Sequence, residues 1–87
     1  MTEKKKGKLL VVDDDRLVLR AVSEALSRDG YEVVSVLDPV EALTVVRDTS
    51  FDALISDIKM PNLSGIDLLK AFKQAQPDIE VVMMSGH

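Results

Sequence analysis

The chain has 87 residues, 46% hydrophobic and only 3% aromatic, which allows one small domain with an aliphatic core. It contains no cysteine, which excludes a disulfide framework and a thiolate metal site and is typical of a cytoplasmic protein. The net charge is −4, yet residues 1–8 are basic and the remainder is strongly acidic. We therefore expect a basic disordered tail over residues 1–7 and a folded domain over residues 8–87 that binds no nucleic acid and spans no membrane.

Short apolar runs alternate with segments of helical periodicity, which predicts four strands and three helices. Strands joined by helices of this length must run parallel, with right-handed crossovers and helices on both faces of the sheet. In chain order, we predict a strand over 9–12, a helix over 16–29, a strand over 31–37, a helix over 39–49, a strand over 52–57, a helix over 65–76 and a strand over 80–85.

Each predicted helix begins beside a residue type that favours N-caps. Asp15 is the predicted cap of the first helix and Ser64 that of the third. Asp38 is the predicted cap of the second, with Pro39 at the first helical position and Glu41 three residues past the cap. The periodicity predicts that the three helices bury, in turn, Val18, Ala21, Val22, Ala25 and Leu26; Val40, Leu43 and Val46; and Leu68, Leu69, Phe72 and Ala75.

Polar side chains stand at the ends of three predicted strands. Asp13 and Asp14 follow the first strand, Asp57 ends the third, and Ser85 ends the fourth. Since sites in open parallel sheets lie at the carboxyl ends of the strands, we expect these side chains in one pocket. Three carboxylates repel one another unless they share a proton or bind a cation, and oxygen ligands with room for water suit Mg²⁺. A carboxylate beside a bound cation is also prepared to attack phosphorus.

Three motifs together resemble the receiver domain of bacterial response regulators, and the resemblance covers residues 8–87. They are Val12-Asp13-Asp14-Asp15, Asp57-Ile58-Lys59-Met60-Pro61 with Ser64-Gly65, and Met84-Ser85-Gly86. The resemblance implies an α/β fold of the flavodoxin-like, doubly wound type, with a parallel sheet of strand order 2-1-3-4. It also implies a part in two-component signalling and phosphorelay signal transduction.

The resemblance further implies a role for each residue of the pocket. Asp57 would accept a phosphoryl group from a histidine kinase, and Ser85 would be the switch hydroxyl. The implied ligands of Mg²⁺ are Asp13, Asp14, Asp57 and the backbone carbonyl of Lys59. The chain would then be no enzyme beyond phosphorylating and dephosphorylating its own Asp57, and it would regulate transcription within its parent protein.

A full receiver domain continues past the point where this sequence ends, with a fourth helix, a fifth strand and a fifth helix. The resemblance places the family's active-site lysine in that part, so we expect phosphorylation of Asp57 to be impaired here. The predicted fourth strand contains Val81-Val82-Met83-Met84 and is apolar on both faces. As an exposed sheet edge it would invite pairing with another chain, so we predict self-association.

Two other functions stay open at this point. The first is a receiver-like assembly or interaction unit that is not phosphorylated. The second is an aspartate-nucleophile phosphatase of the haloacid-dehalogenase type, with Asp13 and Asp15 as its paired acids. Against the phosphatase, Arg16-Leu17 follow where that family has a small hydroxyl residue, and the chain is short for its remaining motifs.

Overall fold

The strands and helices alternate along the chain as the apolar periodicity predicts. The computed structural model of the protein describes residues 6–57, 59–60 and 63–84. Four longer strands form one sheet, and two strands of two residues form a separate hairpin. The elements are β1 (Lys8–Val12), α1 (Arg16–Arg28), β2 (Glu32–Val36), α2 (Pro39–Asp48), β3 (Ala53–Asp57), β4 (Lys59–Met60), β5 (Leu63–Ser64), α3 (Gly65–Ala75) and β6 (Glu80–Met84).

The sheet is parallel throughout, with the strand order β2-β1-β3-β6. Because β6 is the fourth strand of this sheet, the predicted order 2-1-3-4 is confirmed. The chain passes from β1 to β2 on one side and then returns to place β3 on the other side of β1. The order therefore reverses between β1 and β3, and a crevice forms at the carboxyl ends of these two strands.

The main core lies between the sheet and the two helices α2 and α3. Leu10 of β1 is fully buried there, opposite Val34 of β2 and Leu54 of β3. Leu9 and Val11 point to the other face of β1, where Leu19 of α1 is also buried. The buried residues of the core cluster are Leu10, Val12, Val36, Ala42, Val46, Phe51, Leu54, Phe72 and Ile79.

Two of the predicted helix caps are confirmed by hydrogen bonds. Oδ1 of Asp15 accepts from the backbone N–H of Leu17 at 2.9 Å and of Val18 at 3.3 Å. Oδ1 of Asp38 accepts from the N–H of Val40 at 2.9 Å. Ser64 directly precedes α3, but its side chain lies outside the described part of the structure. Gly30, just past the end of α1, has φ of 102°, a backbone conformation that glycine adopts readily.

The predicted inner face of α1 is correct for Val18, Val22 and Leu26, which are half-buried, and wrong for its two alanines. Ala21 and Ala25 are exposed, and Leu19 is the buried residue of this helix. Helical spacing allows two inner stripes, one through residues 18, 22 and 26 and the other through residues 19, 22 and 26. Periodicity alone could not decide between these two stripes.

The same ambiguity affects the other helices. In α2, Val46 is buried and Leu43 is half-buried as predicted, but Val40 is 61% exposed, and Ala42 and Pro39 are buried in its place. In α3, Phe72 is fully buried as predicted, whereas Ala75 is exposed at the last turn. The predicted burial of Leu68 falls on a side chain outside the described part.

The backbone of Lys6 and Gly7 extends the hydrogen bonding between β1 and β2 beyond the start of β1. The N–H of Lys6 donates to the carbonyl of Gly30 at 3.0 Å, and the N–H of Glu32 donates to the carbonyl of Gly7 at 2.9 Å. Residues 1–5 of the predicted tail lie outside the described residues, so its disorder stays a prediction. Within the described ranges, no helix has the length and apolar character needed to cross a membrane.

Candidate functional site

Three carboxylates meet at the crevice between β1 and β3. Asp13 directly follows β1 and Asp57 is the last residue of β3, and these strands are in register through Val12 and Ser56. One carboxylate oxygen from each of Asp13, Asp14 and Asp57 lies within 4.8 Å of the other two. The strand ends therefore bring together the three acids that the sequence singled out, and we call this group the acidic pocket. Among the described residues it is the one group of three or more potential ligands close enough to hold a metal ion.

The pocket is closed on one side and open on the other. Asp13 is 1% exposed and Asp57 is 3% exposed, whereas Asp14 is exposed. Two unit negative charges 4.8 Å apart or closer repel by at least about 3 kcal/mol at an effective dielectric constant of about 20. A ligand that relieves this repulsion must be positive, and the exposed Asp14 marks the side from which it can enter.

Burial raises the pKa of Asp13 above its ordinary value of 3.8. The hydrogen bond from the N–H of Asp15 to Oδ1 of Asp13, at 2.8 Å, lowers this pKa, and the negative charges of Asp57, Asp14 and Asp15 raise it further. The net shift of the pKa is upward, so without a cation the folded protein disfavours the ionised form of Asp13. A divalent cation among these oxygens would reverse that balance, since it favours the charged form.

Backbone hydrogen bonds fix the strand ends that carry the acids. The N–H of Asp13 donates to the carbonyl of Val36 at 3.2 Å, which ties the end of β1 to β2. The hydroxyl of Ser56 is buried and donates to the carbonyl of Asp57 at 3.2 Å. Sequence reasoning missed Ser56, although a polar residue between Ile55 and Asp57 in an otherwise apolar strand was a visible signal.

The other predicted site residues are described only in part. Lys59 opens β4, two residues after Asp57, and pairs with Ser64 of β5, so its backbone is held in a hairpin that the sequence did not predict. Strands of two residues are too short to show an alternating pattern, which is why this hairpin was missed. Ser85 lies outside the described residues, although Met84, the residue before it, pairs with Asp57.

The oxygens of the pocket fit a hard divalent cation. All three side chains are carboxylates, there is no nitrogen or sulfur ligand in the group, and the exposed side leaves room for water. This is the ligand chemistry that Mg²⁺ and Ca²⁺ prefer. The pocket can thus hold a cation beside the buried carboxylate of Asp57.

Comparison with known protein families gives a match over almost the whole described chain. The model of the response regulator receiver domain matches residues 9–87. Among curated proteins, the response regulator MprA of Mycobacterium avium (strain 104) is 35% identical over 79 residues, a match that takes in 91% of this chain and 35% of MprA. The chain therefore spans about a third of the length of the curated relatives that it matches.

Solved structures give the same result for the fold. A response regulator receiver domain protein from Clostridium thermocellum has a TM-score of 0.86 and 36% identity, covering 92% of this chain and 65% of that chain. A response regulator from Burkholderia pseudomallei, solved with a phosphorylated aspartic acid, a calcium ion and citrate, has a TM-score of 0.86 and 27% identity, covering 97% of this chain and 48% of that chain.

Proposed function

Since this chain belongs to the response regulator receiver domain family, we propose that it is a phosphoacceptor switch whose Asp57 receives a phosphoryl group from a histidine kinase. One observation carries the proposal: Asp57 is buried at the end of β3, within 4.8 Å of the carboxylates of Asp13 and Asp14. The Burkholderia relative, solved with a phosphorylated aspartic acid and a calcium ion, supports both the acceptor chemistry and the cation.

In the proposed reaction, a carboxylate oxygen of Asp57 attacks phosphorus. A new O–P bond forms, the P–N bond of the phosphohistidine breaks, and the imidazole nitrogen keeps the electron pair and takes up a proton. The β3 ladder and the hydrogen bond from Ser56 hold the backbone of Asp57 while its side chain faces the crevice. Positioning and neutralisation of charge supply most of the catalysis in phosphoryl transfer, so a fixed carboxylate is the principal contribution of this chain.

Mg²⁺ is the proposed cofactor. Asp13, Asp14, Asp57 and the backbone carbonyl of Lys59 would hold the ion, and when bound it would neutralise the charge that gathers on the phosphoryl oxygens. Ser85 is the proposed switch hydroxyl, which would approach the phosphoryl group after transfer. Regulation of transcription belongs to the proposal for the longer parent protein, and the curated relatives that are response regulators support it.

The phosphatase alternative is disfavoured by the position of Asp15. That function needs Asp13 and Asp15 as paired acids, but the carboxylate of Asp15 caps α1 through Leu17 and Val18. The acid that joins Asp13 is Asp14, together with Asp57. The arrangement therefore supports a phosphoacceptor rather than a phosphatase.

Mass spectrometry after incubation with acetyl phosphate and Mg²⁺ tests the proposal. We expect a gain of one phosphoryl group that Asp57→Asn abolishes. Asp48→Asn is the matched control, because Asp48 is exposed at the end of α2 and outside the acidic pocket. A wild-type chain that stays unmodified and binds no Mg²⁺ would refute the proposal and favour the assembly unit, and turnover of a small phosphate ester would favour the phosphatase.

A further inference from the structure

The first turn of α1 carries a positive charge two residues along the chain from the acidic pocket. Arg16 is the first residue of the helix and is exposed, and this turn contains no acidic residue. The positive end of the helix dipole lies there, so an arginine is electrostatically unfavourable for the helix itself. Among the residues that the structure describes, Arg16 has no ion-pair partner, whereas Arg20 one turn later pairs with Glu24 at 3.0 Å. The charge of Arg16 is thus not used to stabilise α1.

Chain geometry keeps Arg16 close to the pocket. Only two residue steps separate it from Asp14, so their Cα atoms lie at most about 7.6 Å apart. At roughly 0.01 M salt the Debye length is about 30 Å, longer than this separation and an extended arginine side chain together, so the charge of Arg16 acts on whatever enters the pocket. The guanidinium is permanently charged, so this effect does not depend on pH near neutrality.

We infer that Arg16 adjusts the acidic pocket in favour of anionic phosphoryl donors at the expense of cation affinity. This inference rests on the proposed function and adds a specificity residue to it. The three carboxylates attract a divalent cation but repel a donor that carries two negative charges, such as acetyl phosphate. A fixed positive charge two residues from Asp14 opposes both tendencies: it weakens cation binding and raises the rate of donor capture.

The two effects have opposite signs, which separates this role from a structural one. If Arg16 only maintained the fold of the pocket, its removal would weaken cation binding and slow phosphorylation together. In the reaction with acetyl phosphate, an oxygen of Asp57 forms the new O–P bond and acetate leaves with the electron pair of the old one. No residue other than Asp57 changes its covalent bonds, so Arg16 influences the rate only through charge.

The experiment compares Arg16→Gln and Arg16→Glu with Arg28→Gln. Arg28 is exposed in the last turn of the same helix, about 18 Å along the axis, so its variant makes the same charge change much farther from the pocket. Titration calorimetry measures the affinity for Mg²⁺. Mass spectrometry measures the rate of phosphorylation by acetyl phosphate at saturating Mg²⁺, in low salt and in roughly 0.5 M salt, where the Debye length is only a few ångströms.

In low salt, we expect Arg16→Gln to bind Mg²⁺ roughly two-fold more tightly and to be phosphorylated roughly two- to three-fold more slowly than wild type. Arg16→Glu should show both changes more strongly, and high salt should remove them. Changes of the same sign in both measurements, or values equal to those of Arg28→Gln, would overturn the inference. If wild type gains no phosphoryl group, the proposed function fails. The Mg²⁺ affinities then test the remaining part of the inference, that the charge of Arg16 weakens cation binding. In that case, equal affinities for wild type and Arg16→Gln, or no binding by either, overturn the inference too.

Discussion

The backbone N–H of Asp15 donates a 2.8 Å hydrogen bond to Oδ1 of Asp13, so the residue that caps α1 also orients a carboxylate of the acidic pocket. The side chain of Asp15 meanwhile accepts from Leu17 and Val18. The start of the helix and the candidate cation site are therefore one hydrogen-bonded unit. A change in the cap should therefore alter the orientation of the Asp13 carboxylate through the backbone N–H of Asp15.

Replacing Asp15 by alanine should remove the cap and destabilise the protein by about 1 kcal/mol, whereas Asp15→Asn should retain nearly full stability. Urea unfolding measures both. Asp38→Ala is the matched control, since Asp38 caps α2 in the same way without a bond to the pocket. We expect Asp15→Ala to weaken Mg²⁺ binding and Asp38→Ala to leave it unchanged. Equal Mg²⁺ affinities in the two alanine variants would show that the cap and the pocket are independent.

The raised pKa of Asp13 predicts the pH dependence of stability without a cation. The folded state holds this proton more tightly than the unfolded chain, whose carboxyl has the ordinary pKa of 3.8. The folded state therefore loses stability relative to the unfolded state as pH rises from about 4 through the raised pKa. Asp13→Asn removes this loss and keeps the Oδ1 acceptor for Asp15. In chelator, we expect the variant to become increasingly more stable than wild type between pH 4 and 7.

Thermal unfolding followed by circular dichroism at each pH checks this expectation. Adding Mg²⁺ should reverse the order at neutral pH, because wild type gains about 2.7 kcal/mol when the free ion is at one hundred times its dissociation constant and Asp13→Asn gains much less. The gain should disappear as Asp13 becomes protonated. A difference between the two proteins that does not change with pH would contradict the assignment of the shift to Asp13.

The positions of the acids could be predicted from the sequence, whereas the orientations of the helices could not. Asp13 and Asp57 end apolar strands, and parallel pairing brings such ends to one edge of the sheet. Helical periodicity fixes a stripe only to within about one position, which explains the exposed Val40 and the buried Ala42. The hydrogen bonds of Gln76 depend on contacts between distant segments, for which local patterns give no signal.

The end strand of the sheet leads to a prediction about self-association. Among the described residues, β6 lies at one end of the sheet, and Val82 on it is 53% exposed. An apolar edge of this kind pairs readily with another chain. We expect wild type to self-associate in concentration-dependent light scattering and Val82→Lys to reduce that association. Val40→Lys is the control, because Val40 is 61% exposed but lies on α2. A monomeric wild type at all concentrations would contradict the prediction.

Gln76 joins three segments at the edge of the sheet opposite the acidic pocket. Its Oε1 accepts from the N–H of Phe51 at 2.9 Å, and its Nε2 donates to the carbonyls of Val46 at 2.7 Å and Thr49 at 2.6 Å. The carboxamide thereby fixes the end of α2 and the approach to β3 against the end of α3. Such partly buried bonds contribute about 1 kcal/mol each, so Gln76→Ala should lower the free energy of unfolding by roughly 2–3 kcal/mol.

Urea unfolding of Gln76→Ala beside Gln74→Ala tests this, since Gln74 is exposed on the same helix and its loss should cost no more than about 0.5 kcal/mol. Gln76→Glu makes the test sharper. It keeps the acceptor for Phe51 but places a carboxylate against two carbonyl oxygens, so it should be less stable at pH 7 than at pH 4, where it can be protonated. The folded fraction of each variant should bind Mg²⁺ as wild type does, because the pocket lies at the other ends of the strands. A loss of Mg²⁺ affinity in Gln76→Ala without a loss of stability would assign Gln76 to the site rather than to the scaffold.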